Sequence, residues 1–155
     1  MKKLILLFCL LGIMCLGCGD SGGGGSSVTP CEDNIHGTYK MTGFDVDYYT
    51  GSGGVGFVGT ISETDVPSWS GTMTIATDNI ITQNIIVDDV PYTTSVLVTI
   101  VWISETDGYF EDGSGKVVYF VCNGVDLTTA LFDVFDSSTG LWWDEFDYWK
   151  KTGDL

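Results

Sequence analysis

The chain of 155 residues contains no arginine and a single histidine, His36. Its six basic residues are lysines, and they stand against 21 acidic residues, which gives a formal net charge of −15. Surfaces that bind nucleic acid neutralise phosphates with clustered Lys or Arg, so this composition argues against a nucleic-acid partner. The same balance argues against electrostatic docking on anionic lipid.

The scarcity of histidine also limits the chemistry that the chain can support. A Ser-His-Asp or Cys-His site would have to be built on His36, and no zinc-like Cys/His spacing is present. Carboxylates are plentiful, and solvated turns explain them more simply than a calcium loop or the converging pair of a glycosidase. The densest groups are Asp88-Asp89, Glu111-Asp112 and Asp144-Glu145-Asp147. We therefore predict no enzymatic activity, cofactor or metal, and a carboxylate-based hydrolase is the less favoured alternative.

The longest apolar run lies at the start of the chain and is too short to cross a bilayer as a helix. Two lysines precede apolar residues 4–16, a pattern typical of a secretory signal peptide, whereas a membrane span needs about 20 residues. The run ends in Cys15-Leu16-Gly17-Cys18, which resembles the bacterial lipobox. This resemblance implies a signal peptide over residues 1–17 and acylation of Cys18. The alternative is an ordinary signal peptide that leaves Cys18 a free thiol.

Residues 18–34 are predicted to form a tether, because Asp20 is followed by a run of Gly and Ser of the kind found in flexible linkers. Two or three acyl chains, such as palmitate, hold a protein firmly on a membrane, whereas one holds it only marginally. We therefore expect an exported lipoprotein of the bacterial cell envelope, anchored in the bilayer through Cys18. The outer membrane or periplasmic face is the expected location.

Two cysteines, Cys31 and Cys122, remain once the leader and Cys18 are set aside. A pair of cysteines in an exported domain suggests one disulfide, with two buried free thiols as the alternative. Because it would close a long loop, this disulfide would stabilise the fold by about 4 kcal/mol in the chain-entropy model.

Residues 35–152 read as a domain of β-strands. Apolar residues alternate with polar ones at 55–61 and 72–76, as in half-buried strands. In the first strand the apolar positions are odd-numbered up to Met41 and even-numbered from Phe44, so the phase flips at Gly43. A one-residue slip turns every side chain to the other face, and we therefore predict a β-bulge or sharp bend there.

The remaining pattern predicts an all-β fold, an antiparallel up-and-down barrel of about eight strands, with a β-sandwich as the alternative. Further strands are expected at residues 80–87, 93–103, 116–122, 125–135 and 141–151. Asn123-Gly124 predicts a type I′ hairpin, Asp88-Asp89-Val90-Pro91 predicts another turn, and residues 107–115 are expected to form a turn or a short hairpin.

Two short motifs, with the strand meander between them, resemble the lipocalin-like domains of small bacterial lipoproteins. His36-Gly37-Thr38-Tyr39 opens the first strand where lipocalins have Gly-x-Trp, and an aromatic-basic strand closes the domain at Asp147-Tyr148-Trp149-Lys150-Lys151. The resemblance implies a calycin-type barrel that binds a small hydrophobic ligand.

The aromatic side chains are the best lead to a binding site. Trp102 and the even-numbered residues of the last strand, Trp142, Phe146 and Tyr148, are the candidates to line a cavity, whereas the opposite register nominates Trp143 and Trp149. The leading hypothesis is a barrel that binds a small apolar or amphipathic molecule. The alternative is a structural or interaction module for another envelope protein, which would need an exposed aromatic patch beside a filled interior.

Overall fold

The computed structural model describes residues 31–62, 65 and 69–155. In these residues a short 3-10 helix (Cys31–Asp33) precedes nine strands: β1 (Gly37–Gly51), β2 (Val55–Ser62), β3 (Ser70–Ile75), β4 (Ile80–Val87), β5 (Val90–Trp102), β6 (Asp107–Asp112), β7 (Val117–Cys122), β8 (Asp126–Asp136) and β9 (Leu141–Gly153). The predicted signal peptide, Cys18 and most of the tether lie outside the described residues. No helix in the described part of the chain is long and apolar enough to span a membrane.

Consecutive antiparallel strands form a closed barrel. One edge of β1 is shared, because residues 37–40 pair with β3 whereas residues 45–51 pair with β2. The other edge of β1 pairs with β9 and thereby joins the first strand to the last. Eight strands therefore close the barrel, and β2 lies beside β1 as an added hairpin arm. This confirms the predicted up-and-down barrel, and a sandwich of two separate sheets does not describe the fold.

The phase flip in β1 is a β-bulge, as predicted. Met41 pairs with Trp149 and Gly43 pairs with Tyr148, so no residue of β9 lies directly opposite Thr42. Residues directly opposite each other share one face of a sheet, so Met41 lies on the face of the buried Trp149. Beyond the bulge Phe44 lies opposite Asp147, two residues before Trp149 and on the same face. The extra residue therefore keeps both apolar sets inside one barrel.

One end of the barrel, which we call the closed end, is filled by a hydrophobic core. The rings of Phe110 and Phe120 lie 4.6 Å apart, and Trp102 meets Phe120 edge-on at 5.0 Å. The buried Tyr39 hydroxyl donates a hydrogen bond of 2.6 Å to the carbonyl oxygen of Ile35. The wider core cluster comprises Cys31, Ile35, Tyr39, Met73, Ile75, Ile81, Val98, Phe110, Phe120, Cys122, Leu127 and Trp149.

The segment before β1 is held across the closed end. Cys31 forms a disulfide with Cys122, and their Cα atoms lie 6.1 Å apart, as expected from the cysteine count. The backbone N–H of Cys31 donates to the carbonyl oxygen of Glu105 at 3.2 Å. From the last strand, the Lys151 ammonium donates to the carbonyl oxygen of Asn34 at 2.7 Å. This end of the barrel is therefore closed by both covalent and polar contacts.

The turns differ in part from the sequence prediction. The β7–β8 hairpin is present, but Gly124 alone of its predicted pair has a positive φ, at 88°. The Asn123 side chain instead accepts the N–H groups of Val125 and Asp126. The predicted type I′ turn at Asn123-Gly124 is therefore wrong, because the asparagine stabilises the turn through its side chain rather than through a left-handed backbone.

The structure also locates the predicted turn near residue 88 and changes the assignment of residues 107–115. Asp88 and Asp89 have φ values of 51° and 65° and join the paired residues Val87 and Val90, so the two-residue turn of primed type lies there. Residues 107–115 were expected to be a turn or short hairpin, but residues 107–112 form strand β6. This strand pairs with both β5 and β7 and is part of the barrel wall.

Candidate functional site in the open half of the barrel

The half of the barrel away from the closed end contains a cavity of about 400 Å³. Lys116 and Asp112, which flank the β6–β7 turn, belong to its lining, so the cavity reaches the end of the barrel where that turn lies. We call this the open end. The volume falls in the range of about 300–1,000 Å³ that is usual for small-molecule sites. The lining residues are Met73, Ile81, Gln83, Thr94, Val96, Val98, Phe110, Asp112, Lys116, Val118, Thr129, Ala130, Leu131, Glu145 and Asp147.

Most of the wall formed by β3 to β7 is apolar. Side chains alternate between the two faces of a strand, and Val96 and Val98 of β5 face the interior while Leu97 is 66% exposed outside. Met73, Ile81, Val98 and Phe110 of the lining also belong to the core cluster, so the cavity borders directly on the core of the closed end. A ligand in this cavity would therefore contact hydrocarbon over most of its surface.

The wall opposite carries two inward carboxyl groups, those of Glu145 and Asp147 on β9. Asp147 lies between Phe44 of β1 and Thr129 of β8, and Glu145 lies one pair further toward the open end. The Thr129 hydroxyl lies 3.4 Å from Asp147 Oδ2 and also accepts a 3.0 Å hydrogen bond from the buried Trp149 indole. The two carboxyl groups are hydrogen-bonded to each other. We call them the carboxyl pair.

Burial changes the protonation of the carboxyl pair. Loss of solvent, followed by the negative charge of Glu145, raises the pKa of Asp147 to about 8. Burial also raises the pKa of Glu145, although its hydrogen bond with Asp147 and the charge of Lys116 oppose that change. Two like charges this close do not both ionise readily, so Asp147 keeps its proton near neutral pH.

The outer face of β9 carries the aromatic residues that sequence analysis nominated as cavity lining. Because the buried Trp149 and the cavity-lining Asp147 and Glu145 are odd-numbered, the even-numbered side chains lie outside. This corrects the register that nominated Trp142, Phe146 and Tyr148. Trp102 faces inward but packs against the core at the closed end rather than in the cavity.

Of these outward aromatic residues, Phe146 belongs to a row of rings that crosses four strands. Ring centroids are 6.0 Å apart for Tyr109 and Tyr119, 5.7 Å for Tyr119 and Phe132, and 5.6 Å for Phe132 and Phe146. Tyr119 is 38% exposed, and the other three are half-buried. We call these four residues the outer aromatic row. Their mutual contacts support the sheet and leave an apolar stripe on the outside of the barrel.

The acidic groups noted in the sequence separate into different roles. Asp112 accepts N–H bonds from Ser114 and Lys116, and hydrogen bonds from Ser114 foremost lower its pKa, as expected for a carboxylate in a turn. Asp144 accepts the N–H of Asp133 at 2.7 Å, at a bulge in β8. Of the group at residues 144–147, the first is therefore structural, and the other two acids enter the cavity.

In the part of the chain that the structure describes, His36 lies outside the cavity lining and no group of side chains is placed to bind a metal ion. The buried Nδ1 of His36 has no hydrogen-bond partner and lies next to the start of β1, away from the cavity lining. Among residues 31–62, 65 and 69–155, no group of three or more His, Cys, Asp or Glu is placed to hold a metal ion. The carboxyl pair is thus the principal polar feature of the cavity.

No family model matches the chain, and no curated protein is significantly similar to it. The eight-stranded antiparallel barrel is consistent with a lipocalin-like fold. A fold of this kind serves many functions, so the functional argument rests on the cavity and its lining.

Proposed function

We propose that this protein is a lipid-anchored envelope protein whose barrel binds a small amphipathic molecule. The observation that carries the proposal is the cavity of about 400 Å³, lined by apolar side chains on most strands and by the carboxyl pair on β9. Concave, mostly apolar sites with a few convergent polar groups are the usual form of small-molecule sites.

The carboxyl pair supports binding over a purely structural role. Enclosing two carboxyl groups beside Phe44 and Leu131 costs stability, because neither group is fully solvated and they repel each other when ionised. Groups with strongly shifted pKa values in a cavity are typical of functional sites. A barrel that served only as a scaffold would be more stable with apolar residues at both positions.

The anchor part of the proposal rests on the sequence and on the position of Cys31. Acylation of Cys18 would place the anchor at the start of the tether, and the tether would join the domain at Cys31, which is bonded to Cys122 at the closed end. Residues 18–30 would reach about 45 Å at full extension. In this arrangement the open end lies opposite the attachment point, and the cavity takes its ligand from the aqueous side.

A second candidate, an interaction module, is favoured by one observation, the outer aromatic row. Exposed apolar stripes on soluble domains often mark interaction sites. That candidate also requires a filled interior, and the open half of this barrel contains a cavity instead. Ligand binding therefore accounts for more of the structure.

A matched pair of substitutions on β5 tests the proposed function. Val96 faces the cavity and its neighbour Leu97 faces outward, so Val96→Trp fills the site whereas Leu97→Trp adds the same bulk outside. The measurement is fluorescence of N-phenyl-1-naphthylamine with the lipidated chain in nanodiscs, after subtraction of empty nanodiscs. We expect the unaltered chain and Leu97→Trp to bind alike, and Val96→Trp to bind at least about tenfold more weakly, a loss of roughly 1.4 kcal/mol. Absence of binding by the unaltered chain, or equal binding by both variants, contradicts the proposal.

A further inference from the structure

We infer that the ligand of the cavity carries a basic amine, and that Glu145 and Asp147 bind this amine while the apolar walls hold the rest of the molecule. This inference rests on the proposed function and adds the chemical class of the ligand. It is carried by the position of the carboxyl pair within the cavity, by the partners that the pair has and by the charges around it.

The geometry of the β9 wall brings the two carboxyl groups together. Glu145 and Asp147 are two residues apart on one strand, so both carboxyl groups face the same space. The residues opposite them are Val46 and Leu131 for Glu145, and Phe44 and Thr129 for Asp147. The polar spot is thus bordered by three apolar side chains and the Thr129 hydroxyl, which is the arrangement that an amphipathic molecule with one charged group would fit.

The protein supplies little opposite charge to compensate any negative charge on the carboxyl pair. The pair has its mutual hydrogen bond, a contact of 3.4 Å from the Thr129 hydroxyl to Asp147, and the charge of Lys116, which acts on Glu145 from the mouth of the cavity with an exposed side chain. Buried charges are normally paired and hydrogen-bonded. An ammonium group between the two carboxyl groups would supply both the opposite charge and up to three N–H donors.

Other classes of ligand fit the cavity less well than an amine does. An anion would meet three carboxyl groups in the lining, those of Glu145, Asp147 and Asp112, against one lysine, Lys116, and it would also be repelled by a chain of net charge −15. A wholly apolar ligand would cover the carboxyl pair without giving it a partner. A metal ion lacks a third protein ligand among the described residues. A volume of about 400 Å³, near the lower end of the usual range, favours a small amine over a two-chain lipid.

The test compares three ligands that share one alkyl chain and differ in the head group: octylamine, octanol and octanoate. Each is titrated against N-phenyl-1-naphthylamine bound to the lipidated chain in nanodiscs at pH 7. We expect octylamine to displace the probe at a concentration at least about tenfold lower than octanol, and octanoate to be weaker than both. Equal potency of octylamine and octanol, or greater potency of octanoate, overturns the amine inference and leaves the proposed function standing. Failure of the probe to bind overturns both.

Variants of the carboxyl pair identify the residues responsible. Glu145→Gln with Asp147→Asn keeps the shape of the pair and removes its charge, and we expect octylamine to fall to the potency of octanol. Glu111→Gln removes one charge from the outer face of β6 and serves as the control that keeps the preference. An undiminished octylamine preference in the double variant contradicts the assignment. If that variant does not fold, the three-ligand comparison on the unaltered chain still decides the inference.

Discussion

At the scale of single residues, the proposed function depends on which face of β9 points into the barrel. Glu145 and Asp147 were visible in the sequence within a dense acidic group, and their spacing of two predicts a common face in a strand. That spacing is the feature of the sequence that indicates a shared face for Glu145 and Asp147. A strand with apolar residues on both faces does not reveal which face is interior, because either register buries aromatic rings.

The carboxyl pair makes the stability of the fold depend on pH. The pKa of Asp147 is about 8 in the folded chain, above its ordinary value of 3.8. The folded chain therefore binds this proton more tightly than the unfolded chain does. The resulting stabilisation is fully present below about pH 4 and is lost as pH rises through about 8.

We expect Asp147→Asn to weaken this dependence, because the amide keeps the shape but cannot ionise. Above pH 8 its free energy of unfolding should exceed that of the unaltered chain by at least about 1.4 kcal/mol, the equivalent of one pKa unit. Urea denaturation at intervals from pH 5 to pH 9 measures the difference. Glu111→Gln should run parallel to the unaltered chain. Parallel curves for Asp147→Asn as well would show that the group does not titrate in this window.

At the scale of elements, β1 has a bulge in the region where one of its edges changes partner from β3 to β2. Before the bulge β1 pairs with β3, and after it β1 pairs with β2, while its other edge stays on β9 throughout. The unpaired Thr42 shifts the alternation by one residue, so that Met41 and Phe44 both face inward. The barrel needs this irregularity because the apolar pattern of the strand changes phase there.

Deletion of Thr42 tests the bulge. A regular strand would turn either Tyr39 and Met41 or Phe44 and Val46 to the outside, and we expect a loss of at least about 3 kcal/mol from exposing two large apolar side chains. Thr42→Ala keeps the chain length and removes the hydrogen bond to the Tyr148 carbonyl oxygen, so it should cost less than about 1 kcal/mol. Denaturant unfolding followed by tryptophan fluorescence compares them. A deletion no more costly than the alanine variant would remove the argument for the bulge.

The two hairpin turns show how far residue type predicts backbone conformation. Asn-Gly is a strong signal for a type I′ turn, yet here the Asn123 side chain accepts two backbone N–H groups, so Asn123 has no need of a positive φ. Asp88 and Asp89 adopt the positive φ values instead, since only two residues separate the paired Val87 and Val90. Loop length thus decided the turn conformation at residues 88–89.

At the scale of the whole molecule, the two ends of the barrel differ in how their interiors are filled. The closed end has the core, the disulfide and the polar contacts of the segment before β1, whereas the open end has the cavity. This division separates the core from the cavity, and the strands that line the cavity are held in place by the core at their other ends.

The disulfide should account for much of the stability at the closed end. Cys31 and Cys122 are separated by 91 residues, and both are buried, at 2% and 5% exposure. Replacing both by Ser should lower the free energy of unfolding by about 4 kcal/mol in the chain-entropy model. Denaturant unfolding with and without reductant measures this: the unaltered chain should weaken with reductant, and the double variant should not respond. Equal stability of the oxidised and reduced unaltered chain would contradict the expectation.

The sequence by itself determined the local features: the strands, the bulge at Gly43 and the class of the fold. Alternation and phase are properties of neighbouring residues, so they can be read without knowing which strands meet. The pairing of Cys31 with Cys122 was predicted once the cysteines of the leader and Cys18 had been set aside. The resemblance of Cys18 and its flanking residues to a lipobox stays a prediction about a segment outside the described residues.

The tertiary structure alone decided which face of β9 is interior, and this choice moved the candidate site from Trp142, Phe146 and Tyr148 to Glu145 and Asp147. Closure of the barrel determines this face, because β9 must pair with β1 on one side and β8 on the other while burying Trp149. The closed barrel also places part of the acidic group at residues 144–147 in the wall of the cavity, whereas the sequence alone suggested a solvated turn. Closure of the strands around a shared interior brings these residues together, and no local pattern contains that information.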